Sequence, residues 1–330
     1  MMALFRKSES IREDLAQNEQ RLSCVPTKIG MLELKTANKT IEEAKLKPDP
    51  VRLWDTLWYE GELCCLYADS NVGKSIYAIQ IATQIAKNQK VLYFDFELSD
   101  KQFQLRYTDE DGKSFKFPEN LFRVSLSKER IDYNDFENSL IANIEQVALQ
   151  VDAKILIIDN ITYLCCESEK GGLAGRLMMR LVELKKKYNF SILVLAHTPK
   201  RDMTKPITQN HLAGSKKLFN FFDSSFVVAF SAKNKNLRYI KQLKVRDGEF
   251  NLDSDNIMVC AIEKRNSLLQ FVPLGFSSER EHLVARQELG DKEVNEKIKQ
   301  YSSEGYTQRE IADLVGVSPS TVNRRLNQDS

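Results

Sequence analysis

Ala68-Asp69-Ser70-Asn71-Val72-Gly73-Lys74-Ser75 stands one residue away from Gly-x-x-x-x-Gly-Lys-Ser/Thr, the loop that wraps phosphate groups. Ahead of it, Leu63-Cys64-Cys65-Leu66-Tyr67 predicts a buried strand. Behind it, Ile76-Tyr77-Ala78-Ile79-Gln80-Ile81-Ala82 carries apolar residues at helical spacing. A strand feeding a tight turn into a helix N-terminus aims backbone N–H groups and the helix dipole at an anion. Asn71, Val72, Gly73, Lys74, Ser75 and Ile76 are therefore the expected nucleotide-binding residues. Lys74 would reach the β- and γ-phosphates of ATP, and the Ser75 hydroxyl would hold Mg²⁺. The departure is Ala68, which stands where the motif has its first glycine.

The surrounding chain is an ordinary globular one. Its 330 residues are 42% apolar and 28% charged, long enough for one α/β domain with small appendages. No apolar run approaches the ~18 residues of a membrane span, and Met1–Lys7 has no signal-peptide core, so a cytoplasmic protein without membrane contact is expected. Cysteines lie mostly in apolar runs without metal-ligand spacing, which favours reduced core thiols. Net charge is only +2, yet eight Lys/Arg against one acid fall between Lys216 and Arg246.

Residues 1–50 show no strand signal, although Ile11, Leu15 and Leu22 fit a helix; Lys47-Pro48-Asp49-Pro50 then marks a boundary. Strands are expected at Leu63–Tyr67, Val91–Phe96, Leu121–Val124, Ile155–Ile158 and Ser191–Ala196. Four more are expected at Ser225–Phe230, Tyr239–Lys244, Ile257–Ile262 and Leu268–Val272. Helical stretches alternate with the first five, as in a parallel sheet, whereas the last four leave no room for helices and read as antiparallel hairpins. Residues 274–290 are polar and read as a linker; 291–330 read as a separate helical unit.

Lys154-Ile155-Leu156-Ile157-Ile158-Asp159 is an apolar strand ending in a carboxylate, the Walker-B arrangement in which Asp159 holds the hydration shell of Mg²⁺. The next residue is Asn160, where many ATPases of the AAA+ type carry a water-activating glutamate. Glu97, at the end of Val91-Leu92-Tyr93-Phe94-Asp95-Phe96, is a substitute base; otherwise it caps the helix that follows. Tyr93–Arg106 resembles the corresponding strand, turn and helix of the hexameric RecA-like ATPases of the RepA and DnaB helicase type. In that family the strand-end glutamate is catalytic.

The resemblance continues in order along residues 51–273. Ser191–Lys200 looks like the strand whose polar end senses the γ-phosphate, which implies that role for His197. His211-Leu212-Ala213-Gly214-Ser215 resembles a Gly-Ser segment beside the site. Arg201–Asn210 occupies the place of a DNA-contacting loop, or is an ordinary solvated connection. Leu243-Lys244-Val245-Arg246-Asp247-Gly248 matches Lys-x-Arg-x-Gly, whose two basic side chains in that family reach a neighbour's γ-phosphate. The implied fold is a RecA-like P-loop NTPase core, α/β, mostly parallel with C-terminal antiparallel hairpins. The implied assembly is a homohexamer or another ring or filament. The basic hairpin tip is otherwise unremarkable.

At the C-terminus Thr307-Gln308-Arg309-Glu310 is a capping box, Gly316 turns the chain, and Ser318-Pro319 opens a second helix through Leu326. Ala312, Val317 and Val322 supply the apolar support. The unit resembles the helix-turn-helix of resolvases and bacterial regulators, placing Ser320, Thr321, Asn323 and Arg324 toward duplex DNA; a helical docking domain would look similar. Three functions follow as expectations. One is a Mg-ATP-driven motor or helicase on single-stranded DNA, serving a plasmid-like or transposable element. The second is a site-specific DNA-binding ATPase that uses nucleotide as an assembly switch, and the third a weakly hydrolysing scaffold. Residues 1–50 would dock on a neighbouring subunit or stay disordered.

Overall fold

The nine apolar runs assemble side by side. In the computed structural model they are β1 (Leu63–Ala68), β2 (Val91–Asp95), β3 (Leu121–Val124), β4 (Ile155–Asp159) and β5 (Ser191–His197), then β6 (Ser224–Phe230), β7 (Leu237–Lys244), β8 (Ile257–Arg265) and β9 (Leu268–Ser277). They form one nine-stranded sheet in the order β9-β8-β7-β6-β1-β5-β4-β2-β3. From β6 to β3 every neighbouring pair is parallel, and β6 through β9 are joined antiparallel. The structure describes residues 28–30, 32–126, 136–160, 172–198, 202–211, 216–246, 248–284 and 291–327.

β1 is buried along its whole length, as central parallel strands are when helices cover both faces. Its alternation divides the core in two. Leu63, Cys65 and Tyr67 pack with α3 (Phe136–Val151) and α4 (Gly172–Tyr188). Cys64, Leu66 and Ala68 pack with α1 (Lys74–Ile85) on the other face. Cys64, Cys65 and Cys260 are buried free thiols. A capping box of Ser99 and Gln102 starts α2 (Asp100–Arg106). Among the described residues no helix is long and apolar enough to cross a membrane.

Several expectations need correcting. Lys28–Ile29 pairs with Leu32–Glu33, and Arg52–Trp54 pairs with Trp58–Tyr59, two ladders too short to leave a periodic signal. The expected linker 274–290 is folded through residue 284. β9 runs to Ser277, and a single 3-10 turn follows at Glu279–His282, where Glu279 is wholly buried. Its polar composition is explained by pairing: Glu279 takes Lys241 Nζ at 2.6 Å, Tyr239 Oη at 3.1 Å and Ile207 N at 2.9 Å. The same contacts anchor Ile207 and Thr208, so residues 202–210 are not an untethered loop; Tyr67 Oη donates to Thr208 O.

The chain divides into two compact units, Met1–Val51 and Arg52–Ser330. In the first, a helix at Ala37–Lys45 is capped by Thr36 and has no buried residue. The helix expected around residues 11–22 lies outside the described residues. At the C-terminus α5 (Asp291–Ser303), α6 (Gln308–Val315) and α7 (Pro319–Leu326) close on Val294, Ile298, Ile311, Ala312, Val315 and Val322. The Thr307/Glu310 capping box is formed, Gly316 has φ +72°, and Ser318 caps α7 with Pro319 at its start.

Candidate nucleotide site and helix-turn-helix

The loop after β1 needs left-handed backbone at two places, Asn71 (φ 62°) and Gly73 (φ 108°). Ala68 is not one of them. It ends β1, pairs with Val228 and His197, and buries its Cβ in the core beside α1. The missing glycine therefore imposes no backbone penalty. Gly73 precedes α1 without any side-chain cap, leaving the helix N-terminus turned to the loop. A Cβ on Gly73 would lie 2.8 Å from Ile262 Cδ1 and 3.2 Å from the Phe271 ring.

The antiparallel extension thus braces the loop, and polar contacts add to the brace. Arg238 Nε donates to Val72 O at 2.8 Å with its guanidinium 4.3 Å from the centre of the Phe230 ring. Gln80 on α1 bonds both backbone groups of Phe271. Nothing in the local sequence marks Arg238 or Gln80 for this work, because their partners are more than 160 residues away in the chain.

Four strand-end or loop-end side chains converge here. Lys74, at the start of α1 and only 6% exposed, points its Nζ at the His197 ring, 3.2 Å from Nδ1 and 3.4 Å from Nε2. Burial holds the Lys74 ammonium below its usual pKa, against the pull of Asp159 and Glu97. Glu97 Oε1 lies 3.5 Å from His197 Nε2 and accepts from Asn160 Nδ2; Asn160 Nδ2 is also 3.2 Å from His197 Nε2. The hydrogen bond with His197 holds the Glu97 carboxyl low, helped by Lys74. Asn160, which stands where many AAA+ ATPases have a glutamate, thus donates to Glu97 and packs against His197. Sequence marked the position without disclosing the role.

Asp159 sits directly behind. Burial pushes its carboxyl up to about 6, opposed by Ser75, Tyr93 and Lys74. Tyr93 Oη donates to Oδ2 at 2.6 Å, while Oδ1 is buried with no hydrogen-bond partner among the described residues. A buried carboxylate oxygen left short of a donor, next to the Ser75 hydroxyl, fits a hydrated Mg²⁺. No cluster of three or more His, Cys, Asp or Glu among the described residues could hold a metal alone, so the ion would share its ligands with phosphate oxygens.

Lys244 and Arg246 are not in this cluster. Lys244 pairs with Ser225, and Arg246 Nη1 is 2.5 Å from Asp223 Oδ1. Asp223 also takes Lys185 at 2.6 Å and the backbone N of Leu63, the first residue of β1, at 2.8 Å. Arg246 thus lies at the end of β1 opposite the loop, about 17 Å away at ~3.3 Å per residue. Lys244 Nζ is 3.3 Å from Phe219 O and above the Phe219 ring. Three of the eight basic residues in the run are ion-paired: Lys233 with Glu281, Lys241 with Glu279 and Arg246 with Asp223. His211 lies in a one-turn 3-10 helix; 212–215 and Asp247 lie outside the described residues.

On α7, Ser320, Asn323 and Arg324 are exposed and Thr321 half-buried. Ser320 and Thr321 hydroxyls bond Ser318, Asn323 Oδ1 accepts from Gln308 and Asn327, and Arg325 turns inward to Asn295.

A family profile described as an AAA domain matches residues 32–203, and one described as a winged helix-turn-helix DNA-binding unit matches 303–328. No curated protein matches the chain. A KaiC-like protein of the hyperthermophilic archaeon Pyrococcus horikoshii is similar in structure at TM-score 0.48 and 14% identity, over 66% of this chain and 91% of that one. With just over half its length matched by that profile, the chain belongs to the AAA-domain family of P-loop ATPases, here joined to a C-terminal DNA-binding helix-turn-helix.

Proposed function

We propose that this protein is a Mg-ATP-dependent DNA-binding ATPase that works between subunits, an oligomeric motor of the RepA helicase kind acting in replication or mobilisation of a plasmid-like or transposable element. One observation carries the reading. Lys74, Glu97, Asn160 and His197 meet at one end of the sheet, while Lys244 and Arg246 occupy the other, out of reach of their own loop.

The chemistry follows from these positions. Lys74 and the N–H groups of Asn71 to Ile76 hold the β- and γ-phosphates. Ser75 and Asp159 would hold Mg²⁺, which supplies charge neutralisation on the phosphate oxygens. Glu97, kept ionised by His197 and Lys74, takes the proton of the attacking water as ADP and phosphate separate. His197, already against Lys74, registers the γ-phosphate. The neighbour's Lys244 and Arg246 stabilise the developing phosphoryl charge, a contribution of about 10³–10⁵ in rate for such a guanidinium. Duplex DNA binds through Ser320, Thr321, Asn323 and Arg324, and single-stranded DNA along the 201–210 segment.

The winged helix-turn-helix match favours a second reading, in which nucleotide switches assembly on a specific duplex site and nothing is unwound. Strand displacement on a forked duplex decides. ATPase stimulated by single-stranded DNA, with unwinding, supports the motor; tight duplex-site binding without unwinding overturns it in favour of the switch.

A further inference from the structure

The turn that carries Glu97 is gripped from outside the site. β2 ends at Asp95, and the chain turns through Phe96, Glu97, Leu98 and Ser99 into α2. Asp95, whose side chain is 1% exposed, folds Oδ1 back over the turn and accepts from the backbone N of Glu97 at 3.2 Å and of Leu98 at 2.9 Å. Phe96 N reaches Asp159 O at 2.9 Å, tying the same turn to the Walker-B strand. Around the other side comes Arg123 of β3, the edge strand. Its Nε donates to Asp95 Oδ2 at 2.9 Å, Nη2 to Leu98 O at 2.5 Å and Nη1 to Asp100 Oδ1 at 2.6 Å. The guanidinium plane rests 4.9 Å from the Phe103 ring centre.

We propose that Arg123 is a positioning residue for the Glu97 carboxylate: it locks the Asp95–Asp100 turn on both sides of Glu97 and so fixes where the base stands relative to Lys74 and His197. Each of the three nitrogens holds a different piece of the turn, before Glu97, after it, and at the start of α2. A planar fork whose fixed donors point out along different edges spans these three acceptors; the donors of an ammonium all radiate from one nitrogen and do not reach across the same span. Asp95 is nearly buried, so its orientation over the Glu97 and Leu98 N–H groups depends on that cation. Arg123 donates to Asp95, Leu98 and Asp100, and its role is exerted through the turn they belong to. The inference rests on Glu97 being the base.

The test uses the full chain, single-turnover hydrolysis of labelled ATP, and the variants Arg123→Gln, Arg123→Lys and Glu97→Gln alone and combined. A base displaced by a fraction of an ångström to about 1 Å lowers kcat by about 10–100-fold. Arg123→Gln is expected to show that loss with KM for ATP within about twofold, and Arg123→Lys an intermediate one. In the Glu97→Gln background Arg123→Gln adds nothing, because there is no base left to position. A purely structural role gives the opposite pattern: losses that multiply with Glu97→Gln, or a drop in Tm and ATP affinity at unchanged kcat. Either pattern overturns the proposal, as does wild-type kcat in Arg123→Gln while Glu97→Gln is inactive. Normal turnover in Glu97→Gln instead overturns the reading of the site itself. Should Arg123→Gln not fold, Arg123→Lys carries the same comparison, and wild-type kcat there with unchanged KM overturns the proposal.

Discussion

The separation of Arg246 from its own phosphate loop makes a quantitative prediction about mixed oligomers. Leu63 N and Arg246 Nη1 share the Asp223 carboxylate, and the loop begins five residues further along β1. That is about 17 Å of strand, two to three times the reach of an arginine side chain, so Arg246 serves a neighbour or does not serve at all. Arg246→Ala and Lys74→Ala are each expected to abolish turnover in pure form. Mixed in equal amounts and allowed to exchange, they place an intact Lys74 beside an intact Arg246 at about one interface in four, assuming random assembly of a closed oligomer. ATPase should rise from background to up to about a quarter of wild type, less if subunits fire in sequence. The assay is steady-state phosphate release over a series of mixing ratios, with differently tagged protomers and native mass spectrometry to confirm that mixed species form. Activity should peak at equal amounts and vanish at both extremes. Mixed oligomers without recovery, or an active Arg246→Ala protein, refute the argument. Arg246→Ala leaves Asp223 its Lys185 partner, so Tm should fall little; a large fall would make inactivity uninformative about fingers, and Arg246→Lys then replaces it in the mixture.

Two further substitutions test the frame around the site. Gly73→Ala forces a Cβ to 2.8 Å from Ile262 Cδ1 at a φ of 108°, which costs about 1–2 kcal/mol of strain and is expected to weaken ATP binding; Ile262→Val on top removes the colliding methyl but recovers Tm only in part, because the left-handed φ and the Phe271 ring at 3.2 Å remain. Unchanged ATP affinity in Gly73→Ala would contradict the tight approach of β8 and β9 to the loop. Glu279→Gln keeps the shape but leaves Lys241, 5% exposed, without its charge partner, so urea denaturation should show a loss of about 3–5 kcal/mol; a loss below about 1 kcal/mol would mean that the pair is solvated.

Much of the site is legible in the chain because its groups sit at the ends of strands, and strands announce themselves. β1, β2, β4 and β5 are unbroken apolar runs buried on both faces, and Lys74, Glu97, Asp159 and His197 each lie at or just past one of their C-terminal ends. In a parallel sheet those ends fall on one edge, so naming the strands nearly names the cluster. The basic run from Lys216 to Arg246 misleads for the converse reason. The acids that pair with two of its lysines, Glu279 and Glu281, lie 38 and 48 residues beyond them, outside any local count of charge.

Sequence by itself determined the nine strands of the main sheet and their mixed parallel and antiparallel pairing, the strand, loop and helix around Lys74 and Ser75, and the caps of the two C-terminal helices. These depend on periodicity and on side chains acting within a few residues of their own backbone. Only the tertiary structure decided that Ala68 imposes no backbone penalty, since it is strand and not turn; that Asn160 lies against both Glu97 and His197; that Arg123, Arg238 and Gln80 hold the Glu97 turn and the loop after β1; and that residues 274–284 are folded onto the sheet domain. Each of those depends on two groups far apart in the chain becoming neighbours, and closeness of that kind is set by how the sheet orders its strands.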